Sequence, residues 1–272
     1  MSLEGRIAIV TGAGGGLGRA HALYLAGKGA RVVVNDLSED AAQRVAAEIG
    51  AQGGKALALA GSVTDEWAVS NIVASTIDAW GRVDILVNNA ARFNKKGLLT
   101  MSPDEWRGQM AVMLDGTFLL SSAVARHMVG RGEGGVIINI ISTAGHQGEP
   151  GNIAYSTAKA GLLNFTRSAA MELAAHRIRV VSLTPTATDP DEMFERARRW
   201  GLKAEPPANL EELKAPFLKR IPLGELPRPS DYGQAAVFLA SDDASMITGT
   251  DLRVDAGAVG RYWAWEPGEP VG

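Results

Sequence analysis

The chain has 272 residues, 46% of them apolar and 21% charged, with a formal charge of −3. That balance excludes a disordered tail protein and argues against a nucleic-acid binder, which would carry a basic excess. With no cysteine, the chain has no disulfide framework, no thiolate metal site and no cysteine nucleophile. The opening MSLEGRIAIV places Glu4 ahead of any apolar run, unlike a signal peptide. No purely apolar stretch approaches the roughly 20 residues that span a bilayer. A cytoplasmic protein with no membrane partner is expected.

Short β-branched runs alternate with longer segments of helical spacing. Strands are predicted at 6–11, 31–35, 55–60, 83–87, 136–141, 179–183 and 251–254. Most are apolar without alternation, which suits strands covered on both faces. Helices are predicted at 18–27, at 38–49 behind the N-cap Ser38, and at 67–80. A further helix opens at the capping box Ser102-Pro103-Asp104-Glu105 and runs to about 127. The last two cover about 153–175 and 230–239. This alternation predicts one Rossmann-type α/β domain over 1–272, a doubly wound parallel sheet of about seven strands. Only 186–228, with six prolines and many charges, breaks the rhythm. A long insertion of this kind is often a lid.

Directly after the first strand comes Thr11-Gly12-Ala13-Gly14-Gly15-Gly16-Leu17-Gly18, with a helix behind it. Glycines there let backbone amides approach a pyrophosphate at a helix N-terminus. Asp36 ends the second strand, where a carboxylate accepts hydrogen bonds from ribose hydroxyls and repels a 2′-phosphate. Neither Ala13, Gly15 nor Leu37 offers an offsetting arginine, so NAD is favoured over NADP. No Lys-Ser/Thr closes the glycine run, which argues against a nucleoside-triphosphate loop.

Tyr155 and Lys159 stand four apart, on one face of a predicted helix. A nearby ammonium would stabilise the phenolate and lower the tyrosine's pKa, fitting it for proton transfer. Ser142 ends the fifth predicted strand, at the carboxyl edge of the sheet where ligands bind in open α/β folds. His146 and Gln147 follow closely enough to line a pocket. No histidine–carboxylate pair has metal spacing, so no metal is expected.

Taken as a set, TGAGGGLG, Asp36, Asn88-Asn89-Ala90-Ala91, Ser142 and Tyr155-x-x-x-Lys159 resemble the short-chain dehydrogenase/reductase family. The similarity runs from about residue 4 to Gly257. It implies hydride transfer between a secondary alcohol and a ketone with a nicotinamide cofactor. It implies Tyr155 as acid/base, Ser142 as a hydrogen-bonding partner of the substrate oxygen, and Lys159 on the nicotinamide ribose. Gly12, Gly16, Leu17 and Gly18 would hold the pyrophosphate side, Asp36 the adenine ribose, Ser62 and Val63 the adenine side. Asn89 and Ala90 would lie along the cofactor, with Pro185 and Thr188 near the nicotinamide. A homotetramer is the assembly it implies, with a dimer as the alternative.

Several positions depart from the family pattern. Met113 replaces the asparagine of a common proton relay, Ala91 a glycine, Ser62 an aspartate and Thr186 a glycine. In the insertion, Met193, Phe194, Trp200 and Leu202 either line a substrate site or form core contacts. Arg196, Arg198 and Arg199 either meet an anionic substrate or form a solvated face. Residues 11–36 also resemble the (3R)-hydroxyacyl-CoA dehydrogenase unit of peroxisomal multifunctional enzymes. Hydroxyacyl thioesters therefore stand beside cyclic and aromatic alcohols as substrates. A non-catalytic NAD-sensing protein is the reading from a different class.

Overall fold

In a computed structural model, which describes residues 1–190, 194 and 208–262, the seven runs form seven parallel strands. They are β1 (Ile7–Val10), β2 (Arg31–Asp36), β3 (Lys55–Ala60), β4 (Ile85–Asn88), β5 (Gly135–Ile140), β6 (Ile178–Pro185) and β7 (Asp251–Val254). Their order across the sheet is β3-β2-β1-β4-β5-β6-β7. This is the Rossmann-type arrangement expected from the strand–helix alternation.

The helices are α1 (Gly16–Ala26), α2 (Glu39–Ala51), α3 (Glu66–Trp80), α4 (Pro103–Met110), α5 (Gly116–Arg131), α6 (Ile153–Leu173), α7 (Leu210–Leu218) and α8 (Pro229–Ala240). On one face of the sheet, α1, α2 and α8 bury Leu25, Val45 and Val237 against Val32, Val34 and Val181. On the other, α3, α5 and α6 bury Ile72, Leu120 and Ala170 against Val33, Leu86 and Val180. Burial on both faces explains why the strands read as unbroken apolar runs.

The chain winds outward from β1 to β3, then crosses back to place β4 on β1's other side. The winding therefore reverses between β1 and β4, whose carboxyl ends are the usual ligand position in such sheets.

Local signals fix where the helices start. Ser38 accepts from the Ala41 amide at 3.3 Å and Asp65 from Ala68 at 2.8 Å. The capping box forms in both directions: Ser102 accepts from the Glu105 amide at 3.2 Å, and Glu105 from the Ser102 amide at 2.9 Å. The helix behind it differs from the expectation. A π turn at Ala111–Asp115 interrupts it, closed by a Gly116 amide bond to the Ala111 carbonyl, and it ends at Arg131 rather than near 127. Such turns widen a helix locally and recur at functional sites. By length and composition Pro103–Arg131 could cross a membrane. Its Leu120, Val124 and Met128 nevertheless belong to the core beneath the sheet.

Within 186–228 the described ends are tied together. The Asp189 amide donates to the Pro227 carbonyl at 3.0 Å, and Lys214 pairs with the Asp189 carboxylate at 3.3 Å. Phe194 is buried, in keeping with a core contact. Met193, Arg196, Arg198, Arg199, Trp200 and Leu202 lie outside the described residues, as do Trp263 and Trp265.

Candidate active site

The turn from β1 into α1 is shaped by what its glycines lack. Gly12 has a φ of +60°, and a Cβ there would lie 2.9 Å from the Ala90 Cα. A Cβ on Gly18 would collide with the Gly12 carbonyl, and one on Gly14 would come within 2.8 Å of Asp36 Oδ2. Gly15 and Gly16 instead border open space, Gly16 at φ +52°. The inner glycines allow the chain to close on itself, and the outer ones leave bare backbone at a helix N-terminus. That is a cradle suited to a dinucleotide's pyrophosphate. Leu17, in the first turn of α1, is partly buried and packs on the core.

Asp36 is fixed from both sides. Oδ2 accepts from the Gly14 amide at 2.9 Å and Oδ1 from the Ser38 amide at 3.0 Å. Each carboxylate oxygen keeps acceptor capacity for a ribose hydroxyl. Ser62 shares a 2.8 Å hydrogen bond with Thr64 and accepts from the Thr64 amide. Val63 is buried against Gly116, where a Cβ would come within 2.6 Å of its Cγ2. Val63 thus seats the β3–α3 loop on α5, while Ser62 ties the loop to itself.

Thr11, which the motif reading left without a role, joins β1 to the loop after β4. Its hydroxyl accepts from the Asn89 and Ala90 amides, both at 3.0 Å. Asn89 returns the link, donating from Nδ2 to the Thr11 and Gly12 carbonyls at 2.9 and 3.2 Å. Pro185 ends β6 opposite Val254. Thr188 donates to the Thr186 carbonyl at 3.4 Å.

Ser142, Tyr155 and Lys159 meet at the carboxyl edge of β5. The Ser142 side chain acts on the Tyr155 phenol and favours its ionised form. Lys159 Nζ sits 5.6 Å from the Tyr155 ring centroid and donates to the Ile140 carbonyl at 2.6 Å. The electrostatics correct the expected fall in the tyrosine's pKa. Burial pushes the phenol up, Ser142 pulls it down, and the Glu149 carboxylate adds to the rise. Lys159 is itself lowered by burial, to about 8, and its hydrogen bond goes to the strand end. At Tyr155 desolvation outweighs the pull of Ser142.

Phe93 adds a neighbour that no motif marks. It meets Tyr155 edge-on, with centroids 5.2 Å apart at 78°, and stays half exposed. A large apolar residue just past a strand's carboxyl end is the only signal that would have found it. Met113 is fully buried within the π turn, so its side chain presents nothing polar to a water. Among the described residues no cluster of histidines and carboxylates could hold a metal.

The cradle, the carboxylate at the end of β2 and the Ser–Tyr–Lys group at the end of β5 define a nicotinamide-dependent oxidoreductase site on a Rossmann sheet. The pattern of the short chain dehydrogenases matches residues 6–201, and the chain belongs to that family. A 3-oxoacyl-[acyl-carrier-protein] reductase from Synechocystis is 39% identical over 262 residues, 95% of this chain and 98% of the relative. A sorbitol dehydrogenase from Cereibacter sphaeroides is 36% identical, over 94% and 98%. The crystal structure of a short-chain type dehydrogenase/reductase from Mycobacterium marinum superposes with a TM-score of 0.82. It is 34% identical and covers 94% of this chain and 96% of its own.

Proposed function

We propose that this oxidoreductase uses NAD to interconvert a secondary alcohol and the corresponding ketone, with Tyr155 as acid/base. The observation that carries the reading is the meeting of Tyr155, Ser142 and Lys159 beside an open glycine cradle. The nicotinamide supplies the hydride acceptor or donor. The chain supplies the rest. The Gly12–Gly18 backbone holds the pyrophosphate, Asp36 the adenine ribose, and Lys159 the nicotinamide ribose. Ser142 fixes the substrate oxygen, and Tyr155 takes its proton in oxidation or returns it in reduction. Phe93 walls the phenol with an apolar surface.

NAD is favoured because Asp36 is held at the end of β2 by two backbone amides, where a 2′-phosphate would meet its charge. Asp36→Ala should narrow the preference for NAD over NADP, measured as the ratio of kcat/KM values; an unchanged ratio would refute this role. The insertion at 186–228 is assigned as the substrate lid. A hydroxyacyl thioester is the second reading, favoured by the identity to the 3-oxoacyl reductase. NADH formation on cyclic, aromatic and steroidal alcohols and on 3-hydroxyacyl thioesters separates the two, with Tyr155→Phe as control. Tight NAD binding without turnover on any of them would favour the sensing protein.

The proposed assembly is a homotetramer in the cytoplasm. An apolar groove of about 460 Å³ lies between α5 and α6, lined by Phe118, Val129, Phe165 and Ala169 and floored by Ile137 and Val180 of the sheet. Phe118 and Val129 remain exposed. Covering such a groove with a second copy would remove apolar surface from water.

A further inference from the structure

Beyond the Ser–Tyr–Lys group, a second polar cluster lies at the same edge of the sheet. His146 Nε2 is 3.2 Å from Asp251 Oδ2 and 3.0 Å from Thr184 Oγ1. Thr184 donates to both Asp251 oxygens, at 2.9 and 3.0 Å, and Ser182 donates to Oδ1 at 2.6 Å. Ser182 and Thr184 are buried, and the His146 and Asp251 side chains are 18% and 14% exposed. Thr184 gives its one hydroxyl hydrogen to Asp251, so it accepts from Nε2, which is the ring nitrogen that carries hydrogen. Asp251, which opens β7, thus gathers both hydroxyl donors of β6, and His146 of the turn after β5 joins the cluster through Thr184.

That turn carries Ser142. The Ser142 hydroxyl accepts from the Ala144 amide at 3.2 Å, the Gly145 amide donates to the Ser142 carbonyl at 2.9 Å, and His146 closes on Thr143 at 3.0 Å. On one side the turn lies tight on α6: a Cβ on Gly145 would come within 2.9 Å of the Lys159 carbonyl carbon. On the other side, among the described residues, His146 is its side-chain tie to β6 and β7.

We infer that His146 is a positioning residue: through Asp251 and Thr184 it clamps the turn that aims the Ser142 hydroxyl at the substrate oxygen. The inference rests on the dehydrogenase reading for its catalytic consequence, though not for the clamp itself. A misaimed hydroxyl costs rate rather than cofactor affinity, because orientation of reacting groups is sensitive to shifts of about 1 Å.

Two measurements test it. The first needs no substrate: amide hydrogen exchange over residues 142–147 in the full chain, wild type against His146→Ala, His146→Gln and Asp251→Asn. Faster exchange in that turn for His146→Ala and Asp251→Asn, with β5 and β6 unchanged, is the expected result. His146→Gln, which can return a donor near Nε2, should restore protection. Unchanged exchange in the turn, or loss spread over the whole sheet, would overturn the clamp.

The second uses acetoacetyl-coenzyme A with NADH, and sorbitol with NAD, as probes. His146→Ala should lower kcat by about 10- to 100-fold with the NAD Kd unchanged. Added to Ser142→Ala, it should lower kcat no further. A further loss in that background would show that His146 does not act through Ser142. If Ser142→Ala itself leaves turnover intact, the dehydrogenase reading of the site fails instead. If neither probe turns over, hydrogen exchange alone decides the clamp.

Discussion

Burial drives Tyr155 up and Lys159 down, and both shifts disfavour charge in the site. For Tyr155 the consequence is directional. A phenol held above its ordinary range stays protonated at neutral pH, so the form that reduction needs is populated and the phenolate that oxidation needs is scarce. Alcohol oxidation should therefore climb with pH, while ketone reduction holds level until alkaline pH. Initial rates in both directions from about pH 6 to 10 check this, and parallel profiles would contradict it.

For Lys159 the folded value of about 8 lies below the free 10.5. The unfolded chain then binds more protons between those values. The residue's contribution to stability is full above 10.5 and lost as pH falls through 8. Lys159→Met should abolish turnover yet melt no lower than the parent at neutral pH; a clear fall in Tm would count against this.

His21 follows the same sign lower on the scale. Neither ring nitrogen meets a partner in hydrogen-bonding geometry, and burial takes it from 6.5 to about 4, with the Tyr232 backbone offsetting part. Its contribution, about 3 kcal/mol by the shift, is full above 6.5 and lost as pH falls through 4. In His21→Leu, the urea midpoint should drop less between neutral pH and pH 4 than in the parent.

At the scale of elements, the turn from β1 to α1 is the least tolerant segment. Gly18→Ala places a methyl on the Gly12 carbonyl, so NAD affinity should fall by at least about tenfold, read by titration. By contrast, Ser102→Ala removes only half of an exposed capping box. It should cost about 1 kcal/mol by denaturant unfolding and leave kcat unchanged. The element boundaries were legible because caps are local chemistry: Ser38 and Ser102 each satisfy an amide three residues on. The π turn was not. Its closure at Gly116 coincides with Val63 pressed against that glycine, a contact between segments far apart in the chain.

At the scale of the whole molecule, the groove on α5 and α6 carries the prediction for assembly. Phe118→Asp should shift the particle to a smaller species in light scattering, with folded content unchanged by circular dichroism. An unchanged mass would move the interface elsewhere.

What the sequence determined by itself is local and periodic. Unbroken apolar runs divided by helical segments led to the parallel sheet, and the ordered set from Gly12 to Lys159 led to the family. Tertiary structure alone decided the balance of charge at Tyr155, the Phe93 edge on its ring, the Thr11 clasp between β1 and β4, and the meeting of His146 with Asp251. These depend on burial and on contacts between residues far apart in sequence. A periodicity or a motif records neither, because desolvation and packing are properties of the assembled core.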